Sequence, residues 1–341
     1  MADEPPILPL TREELDARLS VLPNEDAGEA WAEFMLEVGR EALEDLPRAI
    51  DAYASDGPGT PVSWSSLGRE FPALDRLSEV AQYSRCSWKR EGEGEVTGPI
   101  LWAKPAVSAL CRASRCARST DGFHLARNVL GHIDPRDGWF GELVSLAVSA
   151  TYWENVRRAI LDSRSELEVS QFREVAENST WPGNLRLSLA AELLSWAEEG
   201  GMNSPPDSLV PIVAVCPGYG ANLTDLRALS RILAKSAAPL DGDFPTNTLK
   251  GIVLQLARLL TMRDLLILLA TAKLDQLKTG QWHVPTDLPL DPFSEEQVRA
   301  GLVMGELILW TTGPDGMDPG PEEVFQQRFP GMENFRVSSK P

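Results

Sequence analysis

The longest apolar run in the chain, residues 252–272 (IVLQLARLLTMRDLLILLATA), constrains the fold more than any other feature. A membrane-spanning helix needs about 20 predominantly apolar residues. Arg258, Arg263 and Asp264 interrupt this run, and its densest uninterrupted part, residues 265–270, is six residues long. Charges at such positions oppose insertion in a bilayer, so the run predicts a buried core helix over residues 245–278, the central helix of the chain. A helix that is apolar on most sides must be covered by other helices, and the remaining sequence has to provide them.

Much of it does. Thr11 followed by Glu13 and Glu14 is a helix start, and Leu22-Pro23-Asn24 is a turn. Ala30, Phe34, Met35, Val38 and Leu43 recur at helical spacing and predict a second helix, which the Ser55-Asp56-Gly57-Pro58-Gly59 stretch ends. Leu74, Leu77, Val80, Ala81 and Ser84 form a further apolar stripe. Pro105 marks the first turn of a helix carrying Val107, Leu110, Cys111 and Cys116. Asp121 or Gly122 opens a helix that runs to Leu130 and stops at Gly131. Residues 139–161 predict a long helix with Phe140, Leu143, Leu146, Ala147, Ala150, Trp153 and Val156 facing inward. Further helices are predicted at about 168–178, 183–198 and 222–238, with an extended or loop segment at 203–220. Helix pairs every 30 to 40 residues resemble the helical hairpins of tetratricopeptide-like solenoids, although no consensus repeat is present. A two-layer irregular helical bundle explains the pattern nearly as well. The fold class is therefore all-α, an irregular, solenoid-like helical-hairpin array. Its segments are an N-terminal helical part (1–60), a helical-hairpin core (61–279) and a Pro/Asp/Gly-rich C-terminal extension (280–341) with one strand-like run at 306–312.

Chemistry is harder to find. No Gly-x-Ser-x-Gly, HExxH, phosphate-loop or dinucleotide motif occurs, and no CxxC pair suggests zinc. Cys111 and Cys116 stand about 140° apart on a helix, a poor geometry for a bridge, and buried free thiols are expected. The chain has three histidines, His124, His132 and His283. An acid–base or metal site from His124, His132, Asp134 and Asp137 would require these side chains to converge. Most of the tryptophans, among them Trp64, Trp102, Trp153 and Trp310, are expected in packing positions. No catalytic residue and no cofactor site is assigned, and the chain is not read as an enzyme.

With 32 Lys plus Arg against 50 Asp plus Glu, the net charge is −18. Nucleic-acid affinity comes from neutralising phosphates with cations, so this balance opposes nucleic acid and anionic membranes and favours a protein partner with a basic patch. Residues 1–9 lack the positive and apolar regions of a secretory signal. Together with the reduced thiols this predicts a cytoplasmic protein, or an extracytoplasmic one if an N-terminal anchor has been removed.

Near the C-terminus the sequence reads AKLDQLKTGQWHVPTDLPLDPFS and then GELILWTTGPDGMDPG. This resembles a pattern in uncharacterised bacterial helical-hairpin proteins: a helix ending in a Gly-x-x-x-Pro segment, a Leu-Pro-x-Asp-Pro-Phe turn, a short strand and a Gly-Pro-Asp-Gly loop. Residues 294–300 depart from the strand usual in that pattern. The ending is also similar to the C-terminal β-region of the major pseudopilins of type II secretion, whose Asp-rich loop holds calcium. That similarity implies Asp291, Asp315 and Asp318 as calcium ligands, because hard cations take carboxylate and carbonyl oxygens. A plain turn at Gly313-Pro314-Asp315-Gly316 is the alternative. Two functions follow. The first is a non-catalytic scaffold or adaptor subunit of a larger bacterial assembly. The second is an extracytoplasmic, calcium-stabilised component related to secretion or pilus-like systems.

Overall fold

In the computed structural model of the protein, the described residues are 11–56, 62–86, 99–133, 138–179, 185–199, 246–291, 296–311 and 336–338. The expected segments at 203–220 and 222–238, as well as Asp315 and Asp318, lie outside them. The fold is mostly helical with a C-terminal antiparallel hairpin. Among the described residues no helix is long and apolar enough to cross a membrane.

The N-terminal part begins with α1 (Arg12–Arg18). Thr11 Oγ1 accepts from the Glu14 N–H, and the Glu14 carboxylate accepts from the Thr11 N–H, both at 3.2 Å. This capping box satisfies two amides that a helix start leaves open. Where the spacing predicts one second helix there are two, α2 (Gly28–Glu37) and α3 (Arg40–Asp56). Gly39, at φ +78°, breaks them apart, because a left-handed residue cannot continue an α-helix. α4 (Trp64–Glu70) and α5 (Pro72–Val80) follow. Leu74, Leu77, Val80 and Ala81 are buried as expected, whereas Ser84 is exposed.

Among the described residues the helix with the most neighbours packed on it is α6 (Pro99–Ala117), not the long apolar helix. It starts at Pro99, so Pro105 is inside the helix and not in its first turn. That proline removes one ladder hydrogen bond. Neighbours compensate: Ala103, Ala106, Val107, Ala109, Leu110, Cys111 and Ala113 are all fully buried, packed against α3, α4, α5, α7 and α8. α7 (Asp121–Leu130) has the bounds read from the sequence. Its approach to α6 is unusually close. Ser114 Oγ accepts from the Gly122 N–H at 2.9 Å and donates to the Ser119 carbonyl at 2.8 Å.

α8 (Gly138–Asp162), α9 (Glu166–Asn178), α10 (Leu185–Glu199) and α11 (Thr246–Thr279) complete the helical part. α11 closes one side by packing on α8 and α9. In α8 the buried face is rotated from the expected one. Leu146, Trp153 and Val156 are inward, but Phe140, Leu143, Ala147 and Ala150 face solvent, while Ser145, Ser149 and Asn155 are buried. α1 docks on α10 through Leu15 and Leu19 against Leu187, Ala191 and Leu194. Arg12 adds a two-pronged pair with the Glu198 carboxylate at 3.0 and 3.3 Å.

The extension forms a sheet in the order β1 (Arg299–Val303), β2 (Glu306–Trp310), β3 (Arg336–Ser338). Only β2 was legible in the sequence, and its antiparallel partner β1 is an addition. Val303 pairs with Glu306 across Met304 and Gly305, at φ +52° and +83°. These are the mirror-image turn angles that match the strand twist. Among the described residues the largest apolar core runs from Ala27 through α2–α11 to Leu309 in β2, and α1 with α10 forms a smaller one beside it.

Two glycines separate steric from conformational demands. A Cβ at Gly122 would lie 2.2 Å from the Leu110 carbonyl oxygen and 2.8 Å from the Trp64 ring. At Gly39 it would meet nothing within 4 Å. Gly122→Ala is therefore expected to cost about 3 kcal/mol by forcing two backbones apart. Gly39→Ala should cost only about 1 kcal/mol, through its left-handed φ. Chemical denaturation of the two variants checks the order.

Candidate functional site

The histidines do not converge. His124 is exposed on α7, and His283 sits at the exposed end of α11 with Nε2 at 3.2 Å from Thr279 Oγ1. His132 is buried in the turn after α7. Gly131 brings that turn against the Ser84 carbonyl, where a Cβ would approach to 2.6 Å. Both imidazole nitrogens of His132 are engaged. The Trp31 indole N–H from α2 donates to Nδ1 at 3.0 Å, and Nε2 lies 2.9 Å from the Tyr83 carbonyl. A carbonyl only accepts, so Nε2 carries the proton and Nδ1 is the bare acceptor. The ring is thereby fixed as one neutral tautomer, with neither nitrogen available to a substrate or a metal.

Burial lowers the pKa of His132 from 6.5 to about 4, against smaller opposing effects from the Tyr83 carbonyl and Asp26. Asp26 itself accepts from the Gly28 N–H at 2.9 Å and starts α2. Beside it, Ala27 and Arg85, and Arg85 and Glu25, exchange backbone hydrogen bonds at 2.9 and 3.1 Å. The cluster is a clasp that ties α2 to the loops after α5 and α7. Trp31, which stacks near Phe34 and Trp102, is its apolar half. Its role had no sequence signal, because 101 residues separate it from His132. Asp134 and Asp137 lie outside the described residues.

Asp291 is 0% exposed. Its N–H donates to the Glu296 carbonyl at 2.6 Å, and the Val298 N–H donates to Pro289 at 2.8 Å. The chain thus folds back just before β1. Thr311 follows Trp310, the partner of Arg299, and so stands at the same end of the sheet. Its buried hydroxyl has no hydrogen-bond partner among the described residues. The other two aspartates of the expected calcium set, Asp315 and Asp318, lie outside the described residues. Among the described residues no group of three or more His, Cys, Asp or Glu side chains is placed to hold a metal ion.

The α8–α10 contact contains a polar seam that sequence reasoning missed. Ser188 Oγ donates to buried Glu142 Oε1 at 2.6 Å. Glu192 covers Gly138 so closely that a Cβ there would lie 2.3 Å from its Oε2. Gly138, Glu142, Ser145 and Ser149 follow one stripe of α8, and Ser188 and Glu192 one stripe of antiparallel α10. Serines at helical spacing inside an apolar helix were the available signal. The Ser188–Glu142 bond favours one register of the two helices, while the buried Ser145 and Ser149 hydroxyls have no hydrogen-bond partner among the described residues.

Cys86 and Cys111 are buried free thiols, and Cys116 is half-buried. Burial raises the pKa values of Cys111 and Cys116, which disfavours the nucleophilic thiolate.

The clasp makes stability depend on pH in a defined direction. An unfolded histidine takes up its proton near pH 6.5, before the folded one does at about 4. The His132 contribution is therefore complete above pH 6.5 and lost as the pH falls to about 4, by about 3 kcal/mol in total. Denaturation midpoints from pH 7 to 5 should show about 2 kcal/mol of this loss in the native chain, and the His132→Asn variant should lack it.

Compared with protein-family models, curated proteins and solved structures, the chain matches none.

Proposed function

We propose that the protein is a non-catalytic scaffold or adaptor that holds a partner protein through a basic patch on that partner. The observation that carries this reading is the distribution of charge. The chain has a net charge of −18, and among the described residues many arginines are paired with carboxylates of the same chain. Arg76 bonds Glu37 at 2.8 Å and also Glu79, Arg112 bonds Asp51, Arg115 bonds Asp162 at 3.0 Å, and Arg157 and Arg158 share Glu154 at 2.9 and 2.8 Å. Carboxylates such as Glu29, Glu33 and Glu41 face solvent on α2 and α3. The outward field is acidic, and such a field steers and selects cationic partners. The saturated His132 and the buried thiols add support, since the groups best suited to catalysis are used in packing.

A helical-hairpin array of this kind offers long faces to partners. A place in a larger bacterial assembly is part of the proposal. The expected experiment is co-purification with the full-length tagged chain from its host at low and high salt. A stoichiometric, basic partner should be retained at low salt and released at high salt. A partner held equally at both would contradict the electrostatic reading.

The complete burial of Asp291 beside the chain reversal before β1 favours a second reading, a calcium-stabilised component related to secretion or pilus-like systems. A ligand that binds only the folded state raises its melting temperature. On that reading calcium raises the melting temperature and a chelator lowers it; an unchanged value in both removes calcium from the account.

A further inference from the structure

We infer that the end of the helical part formed by α6, α8 and α11 binds a small oxyanion, a phosphate or a carboxylate, between Lys273 and Arg115. The site is independent of the partner reading above.

Lys273 lies in the last two turns of α11, and only 9% of it is exposed. Gly280, at φ +79°, ends that helix and turns the chain back. Trp282 thereby comes to cover the Lys273 ammonium, with Nζ 5.6 Å from the ring centroid. Among the described residues no hydrogen bond or ion pair reaches this ammonium. A cation in such a place is costly without an anion beside it, and an aromatic face replaces that anion only in part. Burial accordingly lowers the pKa of Lys273, and the charge of Asp162 opposes this without pairing with it.

Asp162, the last residue of α8, is held by a different cation. Its Oδ2 accepts from Arg115 Nη2 on α6 at 3.0 Å. The Nε–H of the same guanidinium is buried and has no hydrogen-bond partner among the described residues. The other cations at this end are matched, Arg118 with Glu168 at 3.5 Å and Lys278 with Glu166 at 3.6 Å. Four cations thus share three carboxylates here, Asp162, Glu166 and Glu168, within a chain of net charge −18. Lys273 is the cation left over.

The missing group is defined by what remains unbonded. The Lys273 ammonium and the Arg115 Nε–H are both donors and both carry positive charge, so the complementary ligand is an acceptor with negative charge. Phosphate and carboxylate oxygens form charge-assisted hydrogen bonds with both kinds of donor. A cationic or apolar ligand would leave both unbonded.

The test is calorimetric titration of the full chain with sodium phosphate and with sodium acetate at constant ionic strength, with sodium chloride as the control. Saturable one-site binding of phosphate or acetate is expected at about 1 mM, and the tighter of the two tells which oxyanion geometry the site takes. Absence of saturable binding by both overturns the proposal, and so does equal binding of chloride. Lys273→Met removes the charge and keeps the stem. Because it replaces an unpaired buried cation, it should melt at or above the native temperature, and it should bind at least about tenfold more weakly. Asp162→Asn changes a side chain that is 58% exposed. It removes the carboxylate that competes for the same cations and should tighten binding about threefold. Undiminished binding by Lys273→Met overturns the site. Weakened binding by Asp162→Asn overturns it as well, which decides the matter even if Lys273→Met fails to fold.

Discussion

The close contact of α7 with α6 is the constraint on which the rest of the packing depends. Gly122 leaves room for the Leu110 carbonyl and the Trp64 ring where any side chain would collide. Ser114 then joins the two helices by bonding the first turn of α7 and the Ser119 carbonyl of the connecting loop. With α7 held there, Phe123 reaches the rings of Tyr152 on α8 and Phe172 on α9. Tyr152 in turn bonds Ser179 at 2.9 Å at the end of α9. The middle of α6, from Ala106 to Cys111, is buried as a result. On its other flank, Arg112 ties it to the Pro47 carbonyl at 3.1 Å and to Asp51 on α3.

Polar groups inside this core act as fasteners. His132 accepts from Trp31 and donates to Tyr83, and Glu142 accepts from Ser188. Each bond is inexpensive when made and costly when one partner is removed, because the other is left buried and unsatisfied. This asymmetry gives the helices one register. His132 and Glu142 are thereby engaged in holding the helices together.

How much of this could be read in advance depended on how local the signal was. Helix existence and the bounds of α7 were legible because Asp121, Gly122 and Gly131 punctuate the apolar spacing at both ends. The break at Gly39 was not, since the apolar spacing continues across it in phase. The facing of α8 was also illegible. Its first turns carry Phe140, Leu143 and Val144 on one side and Leu146, Tyr152 and Trp153 on the other, so apolar periodicity alone does not choose between them, and the choice falls to the polar seam with α10. β1 escaped because its sequence, RAGLV, is short, and its turn uses Met304, 91% exposed, where asparagine is usual. The His132 clasp required three distant segments to meet.

The central claim is that the core centred on α6 and its glycine joint with α7 carries the fold of the described residues. Native-state hydrogen exchange on the full chain, read by mass spectrometry, tests this most directly. Residues 103–129 should exchange slowest, through global unfolding alone, with α1 and the first turn of α8 faster. If α6 exchanged as fast as α1, or if α11 outlasted it, the core would be centred elsewhere and the account would be contradicted.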